Sequence, residues 1–159
     1  MPEIQTENLE LVLKSLESVL ASIEALSAAD RAQVSPVWLA RVRAATAPDP
    51  WLHGFRMIHR GSGTVIGQCG YKGPPDSDGV VEIAYGVDPA HQGRGYATEA
   101  AWAMTQYAFD SGVVRVVRAH TLPRESASTR VLTKCGFRFL GDVVDPEDGP
   151  VWRWELEQR

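Results

Sequence analysis

The stretch that most constrains this chain is Val80 to Ala101, VVEIAYGVDPAHQGRGYATEAA, which reads as a strand, a tight glycine turn and a helix. Val80 to Val87 is dense in β-branched and aromatic residues, and Asp88 and Pro89 stop it. Gly93 and Gly95 fall where the chain must turn before Thr98 to Tyr107 goes helical. Such a turn leaves the first free N–H groups of the helix pointing outward at the positive end of its dipole. That is an anion site, and glycine lets a phosphate come close to the backbone. A chain of 159 residues has room for one good core and one such site, so residues 1–159 are expected to form one domain.

Composition narrows the class. Apolar residues make up 44% and charged residues 23%, as in ordinary globular proteins, and nothing is repeated or low in complexity. The opening MPEIQTENLELVLKSLESVL carries Glu3, Glu7 and Glu10 and lacks a basic region leading into a hydrophobic one, so no secretory signal is read there. No run approaches membrane-spanning length. Cys69 and Cys135 lie far apart with no C-x-x-C, which fits buried thiols in a reducing cytoplasm better than a disulfide framework or a zinc site. A net charge of −4 without a basic stripe argues against nucleic acid and suits cationic amines.

The remaining elements follow from periodicity. Leu9, Leu11 and Leu13 alternate with Glu10, Val12 and Lys14 as a first strand. Leu16, Val19, Leu20, Ile23 and Leu26 recur at helical steps until Ala28-Ala29-Asp30 interrupts them. A second helix from Pro36 to Thr46 should carry Val37, Trp38 and Val42 inward. LHGFRMIHR and TVIGQCGYK flank the Gly61-Ser62-Gly63 turn of a hairpin, and Gly73 to Gly79 leads into the central strand. The central helix should bury Ala100, Ala101, Met104 and Ala108. Val113 to His120 is the next strand, parallel to Val80 to Val87. Helix Ser126 to Cys135 and strands Phe137 to Val144 and Val151 to Leu156 close the chain. The expected fold class is α+β: a mixed, mostly antiparallel sheet of about seven strands, flanked by helices, with one parallel pair.

Gln92-x-x-Gly95-x-Ala97 resembles the Q/R-x-x-G-x-G/A pyrophosphate loop of the GNAT superfamily of acyl-CoA-dependent N-acyltransferases. A second segment, Glu125-Ser-Ala-Ser128-Thr-Arg-Val-Leu-Thr-Lys134-Cys-Gly136-Phe137, resembles the helix and turn that close the coenzyme A groove in that family. The resemblance runs from about the first third of the chain to its end and is closest to the RimJ/RimL-like branch. It implies acetyl-CoA as co-substrate, a small-molecule or peptide amine as acceptor, and no metal. It also implies that the parallel pair splays to admit pantetheine. Gln92, Gly93, Arg94, Gly95, Tyr96, Ala97 and Thr98 would hold the diphosphate. Glu82 would be the general base, the N–H of Gly86 or Val87 the oxyanion donor, and Ser128 the group holding the sulfur, because the family's usual tyrosine slot is Leu132 here. Glu125 stands where the family has asparagine, which puts one cofactor contact in doubt.

His120 ends the second parallel strand and is a candidate auxiliary base or substrate contact. His53, His59 and His91 show no ligand spacing. A homodimer is compatible with the sequence, which does not itself set the oligomeric state. Two rival functions stay open. One is an acyl-CoA-binding module without turnover, which Leu132 and Glu125 favour. The other is a pyridine-nucleotide protein, disfavoured because Thr98 occupies the third glycine position of G-x-G-x-x-G.

Overall fold

The computed structural model describes residues 3–158. Its centre is an eight-stranded sheet in the order β1-β2-β3-β4-β5-β6-β8-β7. The strands are β1 (Glu3–Gln5), β2 (Leu9–Leu13), β3 (Phe55–His59), β4 (Val65–Tyr71), β5 (Val80–Val87), β6 (Val116–Thr121), β7 (Arg138–Asp145) and β8 (Gly149–Glu157). All neighbours are antiparallel except β5 and β6. The expected α+β class and the parallel pair are present. The strand beyond the expected seven is β1, a three-residue polar edge on β2 that offers no apolar alternation to read.

Three short helices α1 (Leu16–Glu24), α2 (Ala28–Ala32) and α3 (Pro36–Ala44) follow β2, where periodicity gave two. Each opens on a serine, Ser15, Ser27 or Ser35, whose hydroxyl accepts an N–H of the first turn. The Ala28-Ala29-Asp30 interruption is therefore a capped helical turn of its own. Val19, Ile23 and Val42 form a small separate core between α1 and α3. Val37, expected to point inward, is 63% exposed.

The main core lies between the sheet and two further helices, α4 (Tyr96–Asp110) and the shorter α5 (Ala127–Lys134). Helix α4 begins two residues before the expected Thr98 and buries Ala100, Ala101, Met104 and Ala108 as the pattern implies. Glu99 in its first turn accepts from the Thr6 hydroxyl and, at 2.9 Å each, from the Asn8 backbone and side-chain amides. Burial pushes its carboxyl up, but these donors more than offset it and hold the group below its usual range. They tie the β1–β2 turn to the start of α4. Strand β6 starts at Val116, later than expected, because Val113 and Gly112 still belong to an exposed turn.

Gly67 on β4 faces Val87 across the ladder at a point where no side chain fits. A Cβ there would fall inside contact distance of the Gly86 carbonyl oxygen, whereas one at Gly86 would meet open space. Gly67→Ala should cost about 1–3 kcal/mol of stability through forced backbone displacement. Gly86→Ala should change it by no more than about 0.5 kcal/mol. Urea unfolding of both variants beside the parent measures the difference; equal midpoints would contradict the close approach.

Candidate active site

Strand β5 decides which backbone groups are free. Asp88 N–H donates to the Ile66 carbonyl at 2.8 Å and Lys72 N–H to the Glu82 carbonyl at 2.9 Å. Even-numbered β5 residues therefore turn their backbone groups toward β4, and odd-numbered ones turn theirs toward β6. Pairing with β6 runs from Val80↔Val116 to Ile83↔Ala119 and stops. The N–H groups of Tyr85 and Val87 thus open into the gap where the two strands part. Of the two residues expected to offer an oxyanion donor, Gly86 spends its N–H in the β4 ladder and Val87 does not. The Val87 carbonyl, on the same side, accepts from Gln92 Nε2 at 2.8 Å, which folds the loop back onto the strand end.

After a one-turn 3₁₀ segment, Pro89–His91, the chain reverses at Gly93 and Gly95 with φ of 78° and 83°. Gly95 is the residue before α4 and supplies no side-chain cap. Glu99 N–H is bonded to the Gly95 carbonyl at 3.1 Å, so the N–H groups of Tyr96, Ala97 and Thr98 have no partner within the helix. A left-handed residue without a side chain is what leaves these donors open to an anion.

These groups line a cavity of about 340 Å³. Its walls are Tyr85 to Val87 on one side, Gln92, Gly93 and Gly95 to Thr98 along the floor, and Ala127, Ser128, Arg130, Val131 and Lys134 of α5 opposite. Arg94 is exposed and does not line it, since the turn directs its side chain to solvent. Lys134 and Arg130 do. The signal for Lys134 was its place one face along from Ser128 and Val131.

Leu132 is fully buried in the core, so the helix slot where the family carries tyrosine faces away from the cavity. A phenol reaches the cavity from the strand instead. Tyr85 Oη donates to the Ser128 carbonyl at 3.4 Å. Burial, with a smaller contribution from Cys135, raises its phenol above the ordinary tyrosine range. Its alternation with Val81 and Ile83 made it look like core, and only its nearness to the strand end marked it otherwise. Glu125 accepts from the Thr129 hydroxyl at 3.1 Å beside the Ser126–Thr129 capping box and does not line the cavity. Burial pushes the Cys135 thiol up to about 11 and the Cys69 thiol to about 12, which keeps both protonated.

Glu82 lies four residues before Gly86 on the face turned away from α4, with its side chain 18% exposed. Its Oε2 pairs with Lys72 Nζ at 2.9 Å and its Oε1 lies 3.3 Å from His120 Nδ1. Lys72 also pairs with Asp148 at 2.8 Å. Burial lowers the lysine's proton affinity, but the bonds to Asp148 and Glu82 outweigh that and hold it above its usual value. Lys72 opens onto a second cavity of about 450 Å³, bordered by Val37, Trp38, Arg41, Tyr71 and Glu147. No helix among the described residues is long and apolar enough to cross a membrane.

Residues 20–138 match the family model described as an acetyltransferase (GNAT) domain. An uncharacterised N-acetyltransferase, p20 of Bacillus licheniformis, is 30% identical over 93 residues, 58% of this chain and 52% of that protein. The chain spans about half the length of the curated relatives it matches. Among solved structures, RimL, a ribosomal L7/L12 α-N-protein acetyltransferase in complex with coenzyme A, superposes with a TM-score of 0.72 at 15% identity over 98% of both chains. The aminoglycoside acetyltransferase AAC(6')-Ib, also with coenzyme A, gives 0.67 at 18% identity over 94% of this chain and 95% of that one. The fold is thus shared with proteins named for very different acceptors, and the chain belongs to the GNAT acetyltransferase family.

Proposed function

We propose that this chain moves an acetyl group from acetyl-CoA to a primary amine, of a small molecule or a peptide, by direct attack in a ternary complex. One observation carries the reading: two sets of free backbone donors, at the start of α4 and at Val87, open on the same cavity. The coenzyme A complexes of the RimL and aminoglycoside neighbours support it. The diphosphate rests on Gln92, Gly93, Gly95, Tyr96, Ala97 and Thr98, with Lys134 and Arg130 opposite and Arg94 adding charge from outside. The pantetheine arm runs between β5 and α5, which brings the thioester oxygen to the Val87 N–H, where negative charge develops during attack.

Most amines reach the site protonated, and only the neutral form attacks. Glu82 takes that proton first, directly or through water; the neutral nitrogen then bonds to the carbonyl carbon, the carbon–sulfur bond breaks, and the second nitrogen proton passes to the leaving thiolate. The departing thiolate meets the Ser128 and Tyr85 hydroxyls. A thiol pKa of about 8.5 makes it a fair leaving group, so the loss of a helix tyrosine to Leu132 is tolerable. The second cavity, beside Lys72, admits the acceptor. The resemblance of the loop and helix motifs to the RimJ/RimL-like branch points to an α-amino group as one such acceptor.

Thiol release from acetyl-CoA across a diverse amine panel tests the reading. Saturable coenzyme A binding with no release would instead identify a binding module. Glu82→Gln should lower kcat by roughly 10²-fold or more with coenzyme A affinity unchanged; unchanged kcat at neutral pH would exclude Glu82 as the base. Gly95→Val should weaken coenzyme A binding by about tenfold or more, measured by calorimetry, because a β-branched residue resists positive φ and crowds the anion. Parental affinity in that variant would mean that the phosphates lie elsewhere.

A further inference from the structure

The sheet face turned away from α4 and α5 carries a line of charge. Lys72 follows β4, Glu82 is on β5, Arg118 and His120 are on β6, Arg153 and Glu155 are on β8, and Asp145 ends β7. Arg118 and Glu155 satisfy each other at 2.7 Å. His120, its side chain 4% exposed, has a more particular environment. Arg153 Nε donates to His120 Nε2 at 3.1 Å. A guanidinium has no acceptor, so Nε2 is the bare nitrogen and the neutral ring carries its proton on Nδ1.

That Nδ1 is buried without a hydrogen-bond partner. It sits 3.3 Å from Glu82 Oε1 and 3.9 Å from Asp145 Oδ1, aligned on neither. Glu82, His120 and Asp145 bring three ligand-type atoms within 4.8 Å, close enough for a metal ion. The donor set favours a proton instead. A ligating nitrogen must be bare, and Arg153 makes the wrong one bare. Lys72 Nζ already holds the Glu82 carboxylate.

We propose that His120 is a positioning residue for Glu82: held by Arg153 in the Nδ1–H tautomer, it gives its N–H to Glu82 Oε1 when that carboxylate leaves Lys72 to receive the substrate proton. The donor keeps the carboxylate aimed, and the inference rests on Glu82 being the base. The charged groups against the ring are Glu82, Asp145 and Arg153, and behind Glu82 stands Lys72 with its second partner, Asp148.

Nitrogen NMR of the full chain with labelled histidine, at neutral pH with coenzyme A, reads the tautomer directly. The expected spectrum shows Nδ1 protonated and Nε2 bare, with Arg153→Met shifting the ring toward Nε2–H. Added Zn²⁺ should leave the His120 signals in place. In thiol-release assays with acetyl-CoA and the best amine of the panel, His120→Ala should lower kcat roughly tenfold or more, with coenzyme A affinity unchanged. His120→Asn, whose amide nitrogen replaces Nδ1, should recover most of that loss, and His120→Gln, whose amide replaces Nε2, should not. An Nε2–H ring or an imidazolium in the parent, a Zn²⁺-induced shift, or equally slow Asn and Gln variants would overturn the proposal. Full turnover in Glu82→Gln would instead overturn the base reading itself, and the positioning role with it, while the spectrum still reports the Arg153–His120 contact.

Discussion

The site depends on where the parallel pairing of β5 with β6 ends. Parallel strands need a crossover, and here α4 provides it, so β5 and β6 leave the sheet edge by different routes. Their last paired residues are Ile83 and Ala119. Beyond them β5 continues for four residues with β4 on one side and no strand on the other. Backbone groups that a longer pairing would have consumed stay available, at the strand end where the loop to α4 begins. Because strand parity is strict, the available groups belong to Tyr85 and Val87, and side chains at Glu82, Ala84 and Gly86 lie on the other face. One strand therefore presents free backbone N–H groups along its open edge and a carboxylate, Glu82, on its polar face.

Helix α4 is anchored to suit. Its inner face is alanine and methionine against the sheet, and Glu99 fastens its first turn to the β1–β2 turn through Thr6 and Asn8. The glycine before it leaves the amide end uncapped. A capping side chain would have stabilised the helix by about 1 kcal/mol and blocked the anion. The Gln92 amide donates instead to Val87, stiffening the loop without occupying the helix end.

Much of this was legible in the sequence because it rests on local rules. Alternation marked β2 and β5, glycine spacing marked the turn before α4, and small residues at helical steps marked its inner face. What was hidden depended on tertiary placement. Residues of β1 are too few and too polar to show a period. Val37 has helical spacing but looks onto a cavity. Tyr85 shares its parity with buried neighbours and becomes a cavity residue only because β6 has diverged beside it. Leu132 was aligned with a family tyrosine, and only the packing of α5 shows that its position faces the core. The Arg153–His120–Glu82 line joins residues from three strands, and no one-dimensional spacing encodes it.

The ion pair between Lys72 and Glu82 bears on how an acceptor is admitted. A free carboxylate facing a cavity would attract any cation, and a carboxylate locked to a lysine would accept no proton. Here Lys72 holds two carboxylates at once, Glu82 at 2.9 Å and Asp148 at 2.8 Å. It can release Glu82 without losing its last carboxylate, since Asp148 keeps it and Asp145 lies nearby. Asp145 is itself held ionised: burial pushes its carboxyl up, but the backbone N–H groups of Asp148 and Glu147, aided by Lys72, pull it below the usual range. On the function proposed above, an arriving ammonium takes the place of Lys72 at Glu82 while Lys72 keeps Asp148, so each cation retains a partner. Asp148 and Asp145 of the β7–β8 hairpin thus give Lys72 carboxylate partners besides Glu82.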